Sequence, residues 1–130
     1  ASTNSPYLNL FWAAQVKLED RGFLSRDITV GQLISHQGDI HHIFPRDYLK
    51  SNGMKRGEYN QIANFAYTQS EINIRIGNKA PKAYFAEALE QCVGGPLKLG
   101  AIDDRAELEK NLTPVVNTAC PAEYDVRVTR

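Results

Sequence analysis

Between Pro81 and the Gly94-Gly95 pair, Tyr84, Phe85, Ala88, Leu89 and Cys92 fall at positions i, i+1, i+4, i+5 and i+8. That spacing gathers all five on one face of an α-helix but scatters them over both faces of a strand. The segment is therefore predicted as an amphipathic helix, opened by proline and closed by glycine. Such a helix must lay its apolar face on other elements, so the rest of the chain has to supply a packed core.

The chain has 130 residues, 42% of them hydrophobic, which suits one domain spanning residues 1–130. A domain of this size buries roughly two-thirds of its unfolded surface, so neither disorder nor dependence on disulfides is expected. No window approaches the ~18 uninterrupted apolar residues of a bilayer span, and ASTNSPYLNL lacks a signal-peptide pattern, so no membrane partner is expected. Met54 is the sole methionine, and the chain reads as a processed product or an excised domain. Cys92 and Cys120 read as free thiols of an intracellular, cytoplasmic protein, with a single disulfide as the alternative.

Ser5-Pro6 predicts a helix with Tyr7, Leu8, Phe11, Ala14 and Leu18 on one side, ended by Gly22. Thr29-x-x-Gln32 has capping-box spacing and predicts a short helix near residues 29–35, with Val30 and Leu33 inward. Residues 39–44, DIHHIF, read as a strand closed by Pro45, and residues 62–68, IANFAYT, as a second. RDYLKSNGMKRGEYNQ between them is broken by Asn52-Gly53 and Gly57 and reads as a long loop with room for one helical turn. Gln69 or Ser70 then caps a short helix through Ile72 and Ile76 that Gly77 stops. Asp103 is expected to cap a last helix with Leu108 and Leu112 inward, before Pro114 and Pro121 make the tail irregular. Trp12, Tyr7 and the Tyr84/Phe85 pair are expected in the core, and His36 on the surface.

The formal net charge is zero, with 15 basic and 15 acidic residues. From His41 to Lys82, seven basic residues (Arg46, Lys50, Lys55, Arg56, Arg75, Lys79, Lys82) face three acidic ones (Asp47, Glu58, Glu71), so that segment is +4 and the remainder −4. A stretch of this kind is either a solvated face or a footprint for a polyanion. It also carries the residues with chemistry: Asp39-Ile40-His41-His42-Ile43-Phe44-Pro45, then Asn64 on the second strand and Asn73 on the short helix. Neighbouring histidines on a strand project to opposite faces, so one is free to hold a metal and the other to face a substrate. Hydrolysis of a phosphodiester calls for a Lewis acid at the phosphate and a base for water, and imidazole suits both tasks. The Asn side-chain oxygen is a hard ligand of the kind Mg²⁺ accepts.

DIHHIFP, followed by IANFAYTQSEIN with Asn64 and Asn73, resembles the HNH, or ββα-metal, endonuclease superfamily in the form whose last His is replaced by Asn. The continuation from Asn73 to Asn78-Lys79 and the GFLSRDITV lead-in are similar to one subgroup: the C-terminal HNH domain of prokaryotic restriction proteins that act on modified or phage DNA. The likeness is strong over residues 39–79, weaker over 5–38 and absent after about residue 90.

The resemblance implies an α+β fold in which a hairpin and helix hold the metal among further helices. It implies that His41 and Asn73 are metal ligands and that His42 is the general base. Asn64 would pin the loop that orients His42. Asp39 would orient His41 through its other ring nitrogen, although it serves equally as a turn residue after Gly38. Arg75, Lys79 and Lys82 would contact phosphates of DNA. With two protein ligands and no CxxC pairs, Mg²⁺, or alternatively Mn²⁺, is favoured over tetrahedral Zn²⁺. The subgroup implies an N-terminal sensor or nucleotide-binding domain in a longer protein. One site cuts one strand, so double-strand breaks would take a homodimer or two successive nicks. The rivals are a non-catalytic DNA-binding module of the same fold, an RNA or toxin-type nuclease, and a purely structural metal domain.

Overall fold

The computed structural model describes residues 5–36, 38–59 and 64–119 of the chain. It is an α+β arrangement in which one two-stranded antiparallel sheet is surrounded by helices. Helix α1 spans Pro6–Lys17, with the Ser5 hydroxyl accepting from the Tyr7 amide at 3.2 Å as N-cap and Pro6 in the first turn. Its inward face carries Leu8 and Trp12 rather than Tyr7 and Leu18, each of which is 73% exposed, contrary to the sequence expectation. The reason is the sheet beneath. Trp12 meets Tyr67 edge-on at 4.7 Å and clusters with Leu8 and Phe65, with Phe11 packed against them. Gly22 does not end α1, which stops at Lys17; a Cβ at Gly22 would lie 2.3 Å from the Leu33 Cδ1 methyl, so the glycine packs closely against the α2 side chain.

Helix α2, Val30–Ser35, has the reciprocal capping box foreseen: the Thr29 hydroxyl accepts from the Gln32 amide and the Gln32 side chain accepts from the Thr29 amide. Val30 and Leu33 are buried, as expected. Strand β1, Asp39–His42, pairs with β2, Phe65–Thr68, in a register that sets Asp39 opposite Thr68 and His41 opposite Ala66.

The connection between the strands is not a simple loop. Pro45 has the extended φ and ψ of a helix-preceding residue and opens α3, Arg46–Ser51, while Asn52 and the left-handed Gly53 (φ 84°) end it; α4 covers Arg56–Tyr59. The breakers punctuate helices rather than preventing them. Helix α5, Ser70–Ile76, starts and stops where predicted, with Gly77 at φ 55°.

Helix α6, Pro81–Gln91, buries Tyr84, Phe85 and Ala88 against Ile43, Ile72, Ile76, Leu99, Ile102, Leu108 and Leu112 in the main core, with Leu89 and Cys92 partly covered. Helix α7, Arg105–Ala119, is capped by the Asp104 carboxylate accepting from the Glu107 amide, not by Asp103, which instead faces Arg26. The helix continues past Pro114, where an irregular tail was predicted; Pro121 and Cys120 lie outside the described residues. Cys92 is a free thiol. Among the described residues, no helix is long and apolar enough to cross a membrane.

Two side-chain amides, one buried and one half-buried, staple the helices to loops. Gln91 donates to the Leu99 and Ile102 carbonyls and accepts from the Lys98 and Leu99 amides, although it is only 2% exposed. Asn111 on α7 accepts from the Leu24 amide and donates to the Gly22 and Ser25 carbonyls. Because Gln91→Leu would orphan several buried backbone groups while keeping the side chain's bulk, we expect it to lower unfolding free energy by about 3 kcal/mol in urea denaturation.

Candidate metal centre and catalytic cleft

Strand alternation sends the two histidines to opposite sides of β1. His41 turns into the core at 3% exposure, its ring stacked on Phe23 (5.3 Å between centroids, 22° between planes) and edge-on to Tyr84 at 6.0 Å. His42 is half-buried, with Phe65 edge-on at 4.9 Å.

A short polar chain reaches His41 from α5. Its Nδ1 lies 2.8 Å from Asn73 Oδ1, Asn73 Nδ2 donates to Asp39 Oδ2 at 3.1 Å, and the Ser70 hydroxyl donates to Asp39 Oδ1 at 3.1 Å. The expected direct contact from Asp39 to His41 is not made; Asn73 stands between them. A carboxylate only accepts, so the Asn73 NH₂ must face Asp39 and its oxygen must face His41. The proton of the neutral ring therefore sits on Nδ1 and is donated to Asn73. Nε2 is buried and has no hydrogen-bond partner among the described residues.

Burial is the main reason the His41 pKa is lowered to about 4; the Asn73 hydrogen bond opposes that shift and the neighbouring His42 adds to it. The ring is thus neutral at pH 7, as a metal ligand must be.

Asn64, just before β2, grips the turn that follows His42. Its Oδ1 accepts from the Phe44 amide (2.8 Å), its Nδ2 donates to the Phe44 carbonyl (3.2 Å), and its own carbonyl accepts from the Ile43 amide (2.9 Å). The Tyr84 hydroxyl, from α6, closes the same turn by donating to the Ile43 carbonyl at 2.6 Å. These bonds replace the ladder that would have carried β1 on to Phe44.

An open cleft of about 470 Å³ runs beside this centre, lined by His41, His42 and Asn73 together with Arg46, Asp47 and Asn78. Arg75, Lys79 and Lys82 do not line it: Lys79 is paired with Glu87 at 2.9 Å, and Arg75 and Lys82 are exposed elsewhere. Sequence reasoning missed Arg46 as a cleft residue. Its position, directly after the strand-closing Pro45, was the available signal, since the first residue of α3 necessarily stays near the strand end.

Among the described residues, no three His, Cys, Asp or Glu side chains group closely enough to hold a metal ion. A cation at this site would rest on His41, Asn73 and water. The 2.8 Å between His41 Nδ1 and Asn73 Oδ1 is a hydrogen-bond distance, so a cation using both atoms would have to displace the Nδ1 proton. Adjacent ligands of octahedral Mg²⁺ at about 2.1 Å lie about 3 Å apart. Binding through Nδ1 would require its proton to move to Nε2, so the spacing suits the ion only after a tautomer change.

Unfolded His41 takes up its proton near pH 6.5 and the folded chain only near pH 4, so the unfolded state holds more protons between those values and stability rises with pH across them. On acidification through that window, wild type should lose about 3 kcal/mol more unfolding free energy than His41→Leu, as read by denaturant titrations at a series of pH values. Comparison of the chain with protein-family models, with curated proteins and with solved structures finds no match.

Proposed function

We propose that this chain is a metal-dependent endonuclease domain that hydrolyses DNA phosphodiester bonds, with β1, β2 and α5 forming a ββα-metal core of the HNH kind. The observation that carries the reading is the placement of His41 Nδ1 and Asn73 Oδ1 within 2.8 Å, in residues that share a cleft with His42. His41 and Asn73 would hold Mg²⁺, or Mn²⁺, which when bound supplies Lewis acidity to the scissile phosphate and charge neutralisation at the leaving 3′ oxygen.

The remaining work falls to the chain's own residues. His42 takes the proton of the attacking water on its imidazole. Asn64 keeps the turn after His42 in place through its bonds to Ile43 and Phe44, so the base does not drift from the phosphate. Arg46, which lines the cleft, would donate to a phosphate oxygen. Following the family resemblance, the domain would serve a cytoplasmic restriction or phage-defence protein in which a preceding sensor domain selects the DNA. Double-strand cleavage would then take two copies or two successive nicks.

The test is conversion of supercoiled plasmid to nicked or linear forms with Mg²⁺, Mn²⁺ or EDTA. Cleavage should need metal and fall by about 10²- to 10⁴-fold in a folded His42→Ala chain. Intact plasmid with every metal, or full activity in His42→Ala, rejects the reading; cleavage of RNA alone moves the substrate class. Arg46→Ala should weaken DNA binding in EDTA and lower the magnitude of its log-salt slope by about one, measured by fluorescence anisotropy.

A further inference from the structure

We propose that the exposed face of α3, continuing to Arg56, is a track for the backbone of a DNA strand, with Arg46 and Lys50 contacting successive phosphates beside the cleft. That the strand enters the cleft rests on the nuclease reading above, whereas the place of the polyanion surface follows from charge and pairing alone.

The structure divides the basic residues of the middle of the chain into two groups. From Arg46 to Arg56 there are four (Arg46, Lys50, Lys55, Arg56) against one acidic residue, Asp47, a net charge of +3. From Ser70 to Gln91, over α5 and α6, Arg75, Lys79 and Lys82 are matched by Glu71, Glu87 and Glu90, a net charge of zero, and Lys79 is ion-paired with Glu87 at 2.9 Å. A polyanion is drawn to the group whose charge is not compensated.

Arg46 and Lys50 stand one turn apart on the exposed side of α3, with Cβ atoms about 5–6 Å from each other, while Tyr48 and Leu49 are half-buried. Among the described residues neither cation has an ion pair, and Asp47, three residues before Lys50, does not supply one. The arrangement does nothing for the helix itself. A cation in the first turn opposes the helix dipole, and like charges at i and i+4 repel each other. A phosphate backbone relieves both.

The helix is also fastened where the cleft lies. Asn64 holds the Phe44 amide and carbonyl, and the Phe44 ring stacks on Tyr48 with centroids 6.2 Å apart and planes at 21°, so α3 is tied to the end of β1. At its far end the Asn52, Gly53 and Met54 amides donate to the Leu49 and Lys50 carbonyls, and the turn at Gly53 leads into Lys55 and Arg56.

The experiment is fluorescence anisotropy of a labelled DNA duplex in EDTA over a series of KCl concentrations, so that nothing depends on cleavage. The slope of log affinity against log salt should fall in magnitude by about one in Lys50→Ala and by about two when Arg46→Ala is added, with binding about 5- to 10-fold weaker per residue at 0.1 M salt. Lys50→Arg should keep the wild-type slope. Arg75→Ala and Lys82→Ala should leave slope and affinity unchanged. All of these side chains are exposed, and circular dichroism verifies that each variant folds.

A folded Lys50→Ala chain with the wild-type slope overturns the track, and so do equal losses in Arg75→Ala or Lys82→Ala, which would mean a diffuse effect of net charge. Wild type that binds no DNA at low salt overturns it too, as does a dependence on Lys50 seen with an RNA duplex alone. DNA binding that Lys50→Ala weakens, combined with no metal-dependent plasmid cleavage, upholds the track and overturns the nuclease reading. Plasmid cleavage combined with wild-type binding by Lys50→Ala does the reverse.

Discussion

The hydrogen bond from His41 Nδ1 to Asn73 Oδ1 joins β1 to α5 inside the core, and the arrangement of the polar centre follows from it. A neutral imidazole buried to this extent has lost most of its hydration, so its one strong protein hydrogen bond matters far more than a surface bond would. That bond fixes the angle of the ring, and the ring in turn gives Phe23 and Tyr84 a flat surface to pack against. The hairpin and the following helix are thereby one unit, with the polar centre on the side of the sheet that faces the main core.

Holding Phe23 over His41 requires distant parts of the chain. The Phe23 amide donates to the Tyr67 carbonyl, and its carbonyl accepts from the Thr68 hydroxyl, so β2 grips the loop from below. Leu24, next along, is buried with φ at 60°, a left-handed conformation that costs a non-glycine residue about 1–2 kcal/mol. The three hydrogen bonds of Asn111 to Gly22, Leu24 and Ser25 hold the loop in that shape. Gly100 packs directly on the same loop, because a Cβ there would come 2.4 Å from the Leu24 carbonyl oxygen. Helix α7 and the segment before it thus support the centre through Phe23.

Local chemistry was legible wherever a few neighbouring residues decide the outcome. The Thr29 capping box, the Ser5-Pro6 start, the Gly77 stop and the buried face of α6 could all be read directly, because each depends on contacts within about two turns. Asn64 was expected at the turn after His42 only through the family resemblance, and its side chain bonds the Phe44 amide and carbonyl there. Elsewhere the structure departs from the local reading. Tyr7 and Leu18 were assigned inward by periodicity, but the partner surface offered by Tyr67 and Phe65 selects Leu8 and Trp12. The Arg46–Ser51 helix was hidden by Asn52-Gly53, which punctuates its end. Lys79, expected at phosphates from the resemblance, is ion-paired with Glu87 on α6.

The sequence by itself determined the bounds of α2, α5 and α6, the start of α1 and the residue types available for chemistry, since periodicity, caps and breakers act over short distances. Only the tertiary structure decided what those residues do to one another. It placed Asn73 between Asp39 and His41, although His41 and Asn73 are 32 residues apart in sequence. It also brought Arg46 to the cleft and left Arg75 and Lys82 away from it. Hydrogen-bond partners and burial are set by the packing of whole elements, and a side chain's acceptor, tautomer and pKa exist only once that packing is complete.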